Sequence, residues 1–377
     1  MEPRTAIYTL TSELHDVKAV ANMTSEFLDS LNIAYELKGN NYADYGESSL
    51  SMIYVRTGGT EGIFRRLLPQ LQAKSGRPFY LLTSGKSNSL AASMEILSYL
   101  RQHNIRGEII HGSADYIAKR IRLLTSVEAA RRQLDGVRLG IVGRPSDWLI
   151  ASHADKDAVK ERLGIELTDI PMQELLDAIG TEGGNIYGAL KSIVARHRLQ
   201  GFTLRCFDLL TTVKNTGCLA LAQLNAEGYV AGCEGDVPAM LSMMIVRALT
   251  GVSGFQANPA NVDPDRGELL MAHCTIPLDM VERYELDTHF ESGIGVGVRG
   301  YMKEGAVTVF KVSGDLSRRF VAEGELVENQ SKPDLCRTQQ LIRLADKSQA
   351  AYFLTDPIGN HHIVVPGHLK EQLERIL

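Results

Sequence analysis

Short apolar runs alternate with helix-length segments through the first two-thirds of this chain, and no other feature restricts its fold as much. The runs at 6–10, 52–55 and 79–82 are strand-like, and 107–110 is a fourth candidate. Segments 92–100 and 114–134 carry apolar residues at helical spacing. Strands separated by helices form βαβ units, because a parallel neighbour is reached only by a crossover. A second set opens at 137–143, with further strand candidates at 202–206 and 229–231. Helix patterns lie between and after them, at 172–179, 187–195, 217–224 and 238–249. Pro238 suits a first helical turn, where its missing N–H costs little.

The pattern changes after about Asn258. Pro259, Pro264 and Pro277 punctuate the chain, and β-rich runs follow at 293–298, 306–312 and 318–325. The last segment is again strand then helix. The expected fold is α/β: two consecutive Rossmann-like parallel-sheet domains, then a β-rich C-terminal domain. The expected boundaries are 1–135, 136–265 and 266–354, with 355–377 packing back on the second domain. A length of 377 residues suits two or three domains.

Composition excludes several function classes. A net charge of -5 gives no electrostatic case for nucleic acid or an anionic membrane surface. The five cysteines are odd in number and form no CxxC pair, which argues against a disulfide framework or a zinc knuckle. Met1-Glu2-Pro3-Arg4 lacks the basic-then-apolar run of a signal peptide. No apolar stretch reaches the roughly 20 residues of a membrane span. The expectation is a soluble cytoplasmic protein.

Two glycine motifs fail their context. Residues 295–300 fit GxGxxG by spacing, but a strand-like run follows where a dinucleotide fingerprint needs a helix. Ser84-Gly85-Lys86 follows a strand and precedes a helix, yet Tyr80 stands where a phosphate loop needs glycine. Thr57-Gly58 and Ser84-Gly85-Lys86 remain strand-to-helix turns, which expose N–H groups to ligand oxygens or simply cap the helix. Trp148, the single tryptophan, follows the strand opening the second set; it could stack on a sugar face or pack between elements.

Four polar residues sit at the edges of strand candidates: Glu234, Asn258, His273 and His361. His15, like other isolated histidines, takes a surface or satisfied position by default. His361 and His362 are adjacent on a strand, so only one of them can face a given cleft. Asp236 is either a spare carboxylate or a helix N-cap. By spacing alone the group is weak, since more than a hundred residues separate Glu234 from His361.

These segments resemble the L-fucose isomerase and L-arabinose isomerase superfamily. Gly232-Cys233-Glu234-Gly235-Asp236, with the apolar helix and Leu249-Thr250-Gly251 after it, is similar to the segment carrying the family's first metal-binding glutamate. Ala272-His273-Cys274 matches a histidine of the arabinose branch. Asn360-His361, with Gly367-His368, resembles the C-terminal histidine ligand and its neighbours. One position departs: Asn258 stands where the family has a second carboxylate.

The resemblance implies a divalent cation, Mn²⁺, and interconversion of an aldose and a ketose through an ene-diol. It makes Glu234, Asn258, His273 and His361 the metal positions, Glu234 with Asp236 the acid/base candidates, and Asn360 and His368 their supports. It also implies a homo-oligomer, a trimer or hexamer. In such an assembly the turns at Thr57-Gly58 and Ser84-Gly85-Lys86 would bind the sugar at a subunit interface. Mixed oxygen and imidazole ligands with open positions suit Mn²⁺ better than a closed zinc site. The competing expectation is a sugar-binding protein with a degraded metal site, because an amide can neither carry charge nor take a proton at neutral pH.

Overall fold

A computed structural model describes residues 4–13 and 17–377. Residues 1–3 of the N-terminal reading, and His15, lie outside the described residues. The chain divides into two compact units, Met1–Arg132 and Gln133–Leu377.

The first unit contains β1 (Thr5–Leu10), α1 (Val17–Ser30), β2 (Glu36–Gly39), β3 (Leu50–Val55) and α2 (Glu61–Lys74). It continues with β4 (Phe79–Leu82), α3 (Ser89–Gln102), β5 (Gly107–Ile110) and α4 (Ala114–Leu134), whose last turn crosses into the second unit. The strands form one parallel sheet in the order β2-β1-β3-β4-β5. Every residue of β1 and β4 is buried, as expected for strands covered by helices on both faces.

The second unit opens with another parallel sheet. Its elements are β6 (Arg138–Val142), α5 (Lys156–Leu163), β7 (Glu166–Ile170), α6 (Met172–Thr181), α7 (Ile186–His197) and β8 (Gly201–Leu204). Next come α8 (Phe207–Thr212), α9 (Cys218–Ala226), β9 (Val230–Cys233) and α10 (Val237–Thr250). The strand order is β7-β6-β8-β9. Both halves therefore have the expected α/β character.

Beyond α10 the chain is β-rich, also as expected. It forms β10 (Phe255–Asp263), β11 (Glu268–His273), β12 (Arg283–Asp287), β13 (Gly297–Tyr301), β14 (Gly305–Val312), β15 (Arg319–Gln330) and β16 (Thr338–Leu344). Then follow α11 (Tyr352–Thr355), β17 (His362–Pro366) and α12 (Lys370–Arg375). Six strands close a barrel in the order β10-β11-β16-β15-β14-β17. The closure puts β17, from the end of the chain, between β10 and β14. The glycine-rich run at 295–300 enters β13, which pairs with β12, so it is a strand and not a nucleotide loop.

Helix α10 joins sheet to barrel. Nearly all its residues are buried, so it is apolar on every side. Asp236 caps it by accepting the Ala239 N–H at 2.8 Å, Pro238 lies in its first turn, and Gly251 ends it with φ 86°. The Ser242 hydroxyl donates to Pro238 O at 2.7 Å and accepts the Val312 N–H of β14 at 3.0 Å. Gln256 of β10 clamps the end of β9, accepting from Cys233 N at 2.8 Å and donating to Cys233 O at 3.2 Å. The carboxyl end of β9 is thereby held against the barrel.

Candidate metal centre

Glu234 follows β9 at the carboxyl edge of the parallel sheet. Its φ of 61° is left-handed, a conformation that costs a non-glycine residue about 1–2 kcal/mol. The surroundings hold it there. Its carbonyl accepts the Ser146 N–H at 3.0 Å, and the next amide, Gly235 N, donates to Leu204 O at 3.0 Å. Gly235 continues the turn at φ 71°, and a Cβ on it would stand 2.5 Å from Arg144 O, so only glycine fits.

The barrel supplies the histidines. His273 ends β11, and His361 immediately precedes β17. With Glu234 they form a buried triad whose ligand atoms all lie within 4.8 Å of one another and could hold a metal ion. Both His273 Nε2 and His361 Nε2 stand 3.5 Å from Glu234 Oε1. Ligands each about 2.1 Å from one ion, at angles of roughly 90–110°, are separated by about 3.0–3.4 Å. The two Glu234–imidazole spacings fit that with little contraction.

The outer atoms of each group explain why the inner atoms converge. Trp148 Nε1 donates to Glu234 Oε2 at 2.8 Å, which turns Oε1 toward the imidazoles. His361 Nδ1 is bonded to Asp236 Oδ2 at 2.8 Å. An ionised carboxylate only accepts, so Nδ1 carries the proton of that bond and Nε2 is left facing the centre. His361 Nε2 is buried and has no hydrogen-bond partner among the described residues; its 3.5 Å approach to Glu234 is a charge contact without hydrogen-bond geometry. An orphaned ring nitrogen beside a carboxylate is what a cation site requires. On the other ring, His273 Nδ1 meets the Thr275 hydroxyl at 3.0 Å.

Asp236 lies beneath this layer and is fully buried. Besides His361 and the α10 amide it meets Lys311 Nζ at 3.3 and 3.4 Å and the Ser152 hydroxyl at 3.4 Å. Burial alone would raise the Asp236 carboxyl, but Lys311 and His361 outweigh it and hold it below the usual carboxylate range. Burial would likewise raise Glu234, and His361 with His273 reverses this. His361 shows the converse: burial opposes its charge, but Glu234 and Asp236 raise the ring to about 9. Burial lowers the Lys311 ammonium, with Asp236 opposing.

Asn258 lies on β10 opposite Ala272, the neighbour of His273; the preceding Ala257 pairs with His362. Its Oδ1 is buried without a hydrogen-bond partner among the described residues. That leaves a buried, neutral oxygen unsatisfied on the strand that pairs with β11. Asn360 Oδ1 accepts the His361 N–H at 2.7 Å, and Asn360 O meets His362 Nδ1 at 3.0 Å. His362 turns away into an aromatic cluster and contacts the Tyr352 hydroxyl at 3.0 Å. His368 is exposed and faces Glu323 at 3.8 Å rather than any of the three ligands. Trp148 is half-exposed and packs edge-on against Phe207 at 4.8 Å; Phe207 in turn meets His289.

Thr57, Gly58, Ser84, Gly85 and Lys86 belong to the first unit. There Thr57 Oγ1 accepts the Ser12 N–H at 3.0 Å, and Gly58 N donates to Ser87 O at 2.7 Å. Ser84 Oγ accepts the Lys86 N–H at 3.4 Å, with Gly85 at φ 74° between them. Sequence reasoning missed Lys311, Ser152 and Thr275. Only Lys311 left a trace: it interrupts the apolar run at 306–312.

No family model matches this chain. It is similar to the sulfoquinovose isomerases of Priestia aryabhattai and Priestia megaterium, each 23% identical over 279 residues, covering 64% of this chain and 63% of the relative. A sulfoquinovose isomerase of Clostridium sp. is 29% identical over 126 residues, 33% of this chain and 27% of that protein. The match thus spans less than two thirds of these relatives' length. Among the described residues no helix is long and apolar enough to cross a membrane.

Proposed function

We propose that this chain is a metal-dependent aldose–ketose isomerase whose centre is Glu234, His273 and His361. One observation carries the reading: three ligand groups, a carboxylate and two imidazoles from widely separated segments, converge within 4.8 Å in a buried site. The relatives named sulfoquinovose isomerase support the reaction class. So does the resemblance to L-fucose and L-arabinose isomerases. The substrate class is a small aldose, and a sulfonated one is the first to test. The cation assigned is Mn²⁺, and the assembly a cytoplasmic homo-oligomer, which light scattering would check.

The reaction moves a proton between the two carbons of a hydroxy-carbonyl unit. A bound divalent cation supplies stabilisation of the negative charge that develops on the sugar oxygens. Glu234 Oε1 and the two Nε2 atoms would hold it, and Asn258 Oδ1 would add a neutral donor. Glu234 Oε2 keeps a lone pair beyond the Trp148 bond and is the proton carrier. Asp236 has no exposed oxygen, so its part is to fix the ring of His361. Trp148 steers Glu234 and presents its half-exposed indole face to the sugar.

Two measurements test this. Calorimetry with Mn²⁺ on chelator-stripped protein should show saturable binding that Glu234→Gln abolishes. Exchange of solvent deuterium into the C2 hydrogen of sulfoquinovose and a panel of aldoses should require the metal. The alternative, a sugar-binding protein without catalysis, is favoured by Asn258, which cannot relay a proton. Tight sugar binding with no exchange would decide for it, and absence of Mn²⁺ binding would remove the centre.

A further inference from the structure

The first unit carries a second concentration of ligand-seeking groups, none of them a residue of the metal centre. Its strand order β2-β1-β3-β4-β5 changes direction between β1 and β3. In open parallel sheets, ligands enter the crevice beyond the carboxyl ends of the two strands at such a reversal. Here Thr11 and Ser12 follow β1, while Arg56, Thr57, Gly58 and Gly59 follow β3. The two ends are tied by Arg56 N to Leu10 O at 2.9 Å and by Ser12 N to Thr57 Oγ1 at 3.0 Å.

Arg56 is the group without a counterpart. Its side chain is half-buried, with Nε donating to Thr11 Oγ1 at 2.6 Å and Nη1 to Thr24 Oγ1 at 3.1 Å. Both acceptors are neutral, and a guanidinium has five N–H groups to satisfy. Among the described residues no carboxylate pairs with it; Glu13 and Glu61, on the same loops, do not. Other arginines of the unit are matched to acids: Arg77 and Arg131 share Glu128, and Arg120 pairs with Glu108. Burial lowers the Arg56 pKa, and the Tyr54 and Tyr42 hydroxyls only oppose that shift.

The start of α2, on the same edge, is also unserved. Thr60, its N-cap residue, makes no side-chain cap and spends its hydroxyl on Thr57 O at 3.1 Å. The leading amides of this 14-residue helix therefore receive no side-chain cap from Thr60. A guanidinium that meets only neutral acceptors among the described residues and the leading amides of a helix thus stand at one sheet reversal.

We infer that this edge binds a compact oxyanion of the sulfate, sulfonate or phosphate type, with Arg56 as its principal donor. The anion reaches the site either free or as the charged group of a sugar. The inference uses no residue of the metal centre, so either reading can fail alone.

The test is calorimetry on the full chain with excess chelator, which keeps the metal centre silent. Sodium sulfate, inorganic phosphate, methanesulfonate, sulfoquinovose and glucose are titrated at constant ionic strength in chloride. The anions should bind and glucose should show no Arg56-dependent heat. Arg56→Met should weaken anion binding by about 10- to 100-fold, the worth of a charged hydrogen bond. Arg56→Lys, which keeps the charge and guards against misfolding, should retain part of it. Sulfoquinovose binding more tightly than methanesulfonate identifies the sugar-borne sulfonate as ligand; equal affinities identify the free anion. Affinities equal in wild type and Arg56→Met, or no anion binding beyond that of chloride, overturn the inference.

Discussion

The metal affinity of this chain should depend on pH far more steeply than an ordinary histidine site. His361 is wedged between two carboxylates, with Nδ1 2.8 Å from Asp236 and Nε2 3.5 Å from Glu234 Oε1. Burial opposes its charge, yet the carboxylates raise the ring to about 9. Below that pH the metal-free ring holds a second proton, on the nitrogen a cation needs. Binding must expel it, so affinity falls about tenfold for each pH unit. Lowering the pH from 8 to 6 should weaken Mn²⁺ binding about 100-fold, or roughly 2.7 kcal/mol. An imidazole at the ordinary value near 6.5 would give only about fourfold over the same interval. Glu234 and Asp236, both held below the usual range, stay ionised throughout and add nothing. The assay is calorimetry in buffers of different ionisation enthalpy, which also counts about one proton released per ion at pH 7. A change well under tenfold, or no proton release, refutes the reasoning. The same raised pKa sets the stability of the metal-free chain. Its contribution is full below about pH 6.5 and is lost as pH rises through about 9.

Three substitutions probe the other layers. Asp236→Asn keeps the volume but loses the charge that orients His361, so Mn²⁺ affinity should fall about 10- to 100-fold; unchanged calorimetry would sink that role. Lys311→Met leaves Asp236 buried without its cation and should cost about 3–5 kcal/mol in chemical denaturation, as broken buried ion pairs do. A cost under about 1 kcal/mol, the range of an exposed pair, would count against it. Asn258→Asp adds a charged oxygen and should tighten Mn²⁺ binding by at least about tenfold, a fraction of the ~4 kcal/mol between unit charges 4 Å apart at an effective dielectric of 20. Unaltered affinity would place Asn258 outside the coordination sphere.

The two parallel sheets were legible because strands buried on both faces are written as continuous apolar runs, as at 6–10 and 79–82. The barrel was legible only as β-rich sequence. Its closure brings β17 from the end of the chain between β10 and β14, and no local pattern encodes a pairing across such distances. The triad was visible as residue types at strand edges and through a family likeness. Lys311 and Ser152 were not visible as part of it, because they act through Asp236, which they reach from segments 75 and 84 positions away.

The amino-acid order by itself determined which segments become strands and helices, since the spacing of apolar groups is a local property of the chain. It also set the chemical vocabulary of the site: one carboxylate, two imidazoles and an amide where a second carboxylate is expected. Only the tertiary structure decided which ring nitrogen faces inward, which carboxylate faces the imidazoles and which is sealed under His361, and that Arg56 meets no acid among the described residues. Those outcomes depend on burial and on charges a few ångströms apart, and both arise when distant segments exclude water together.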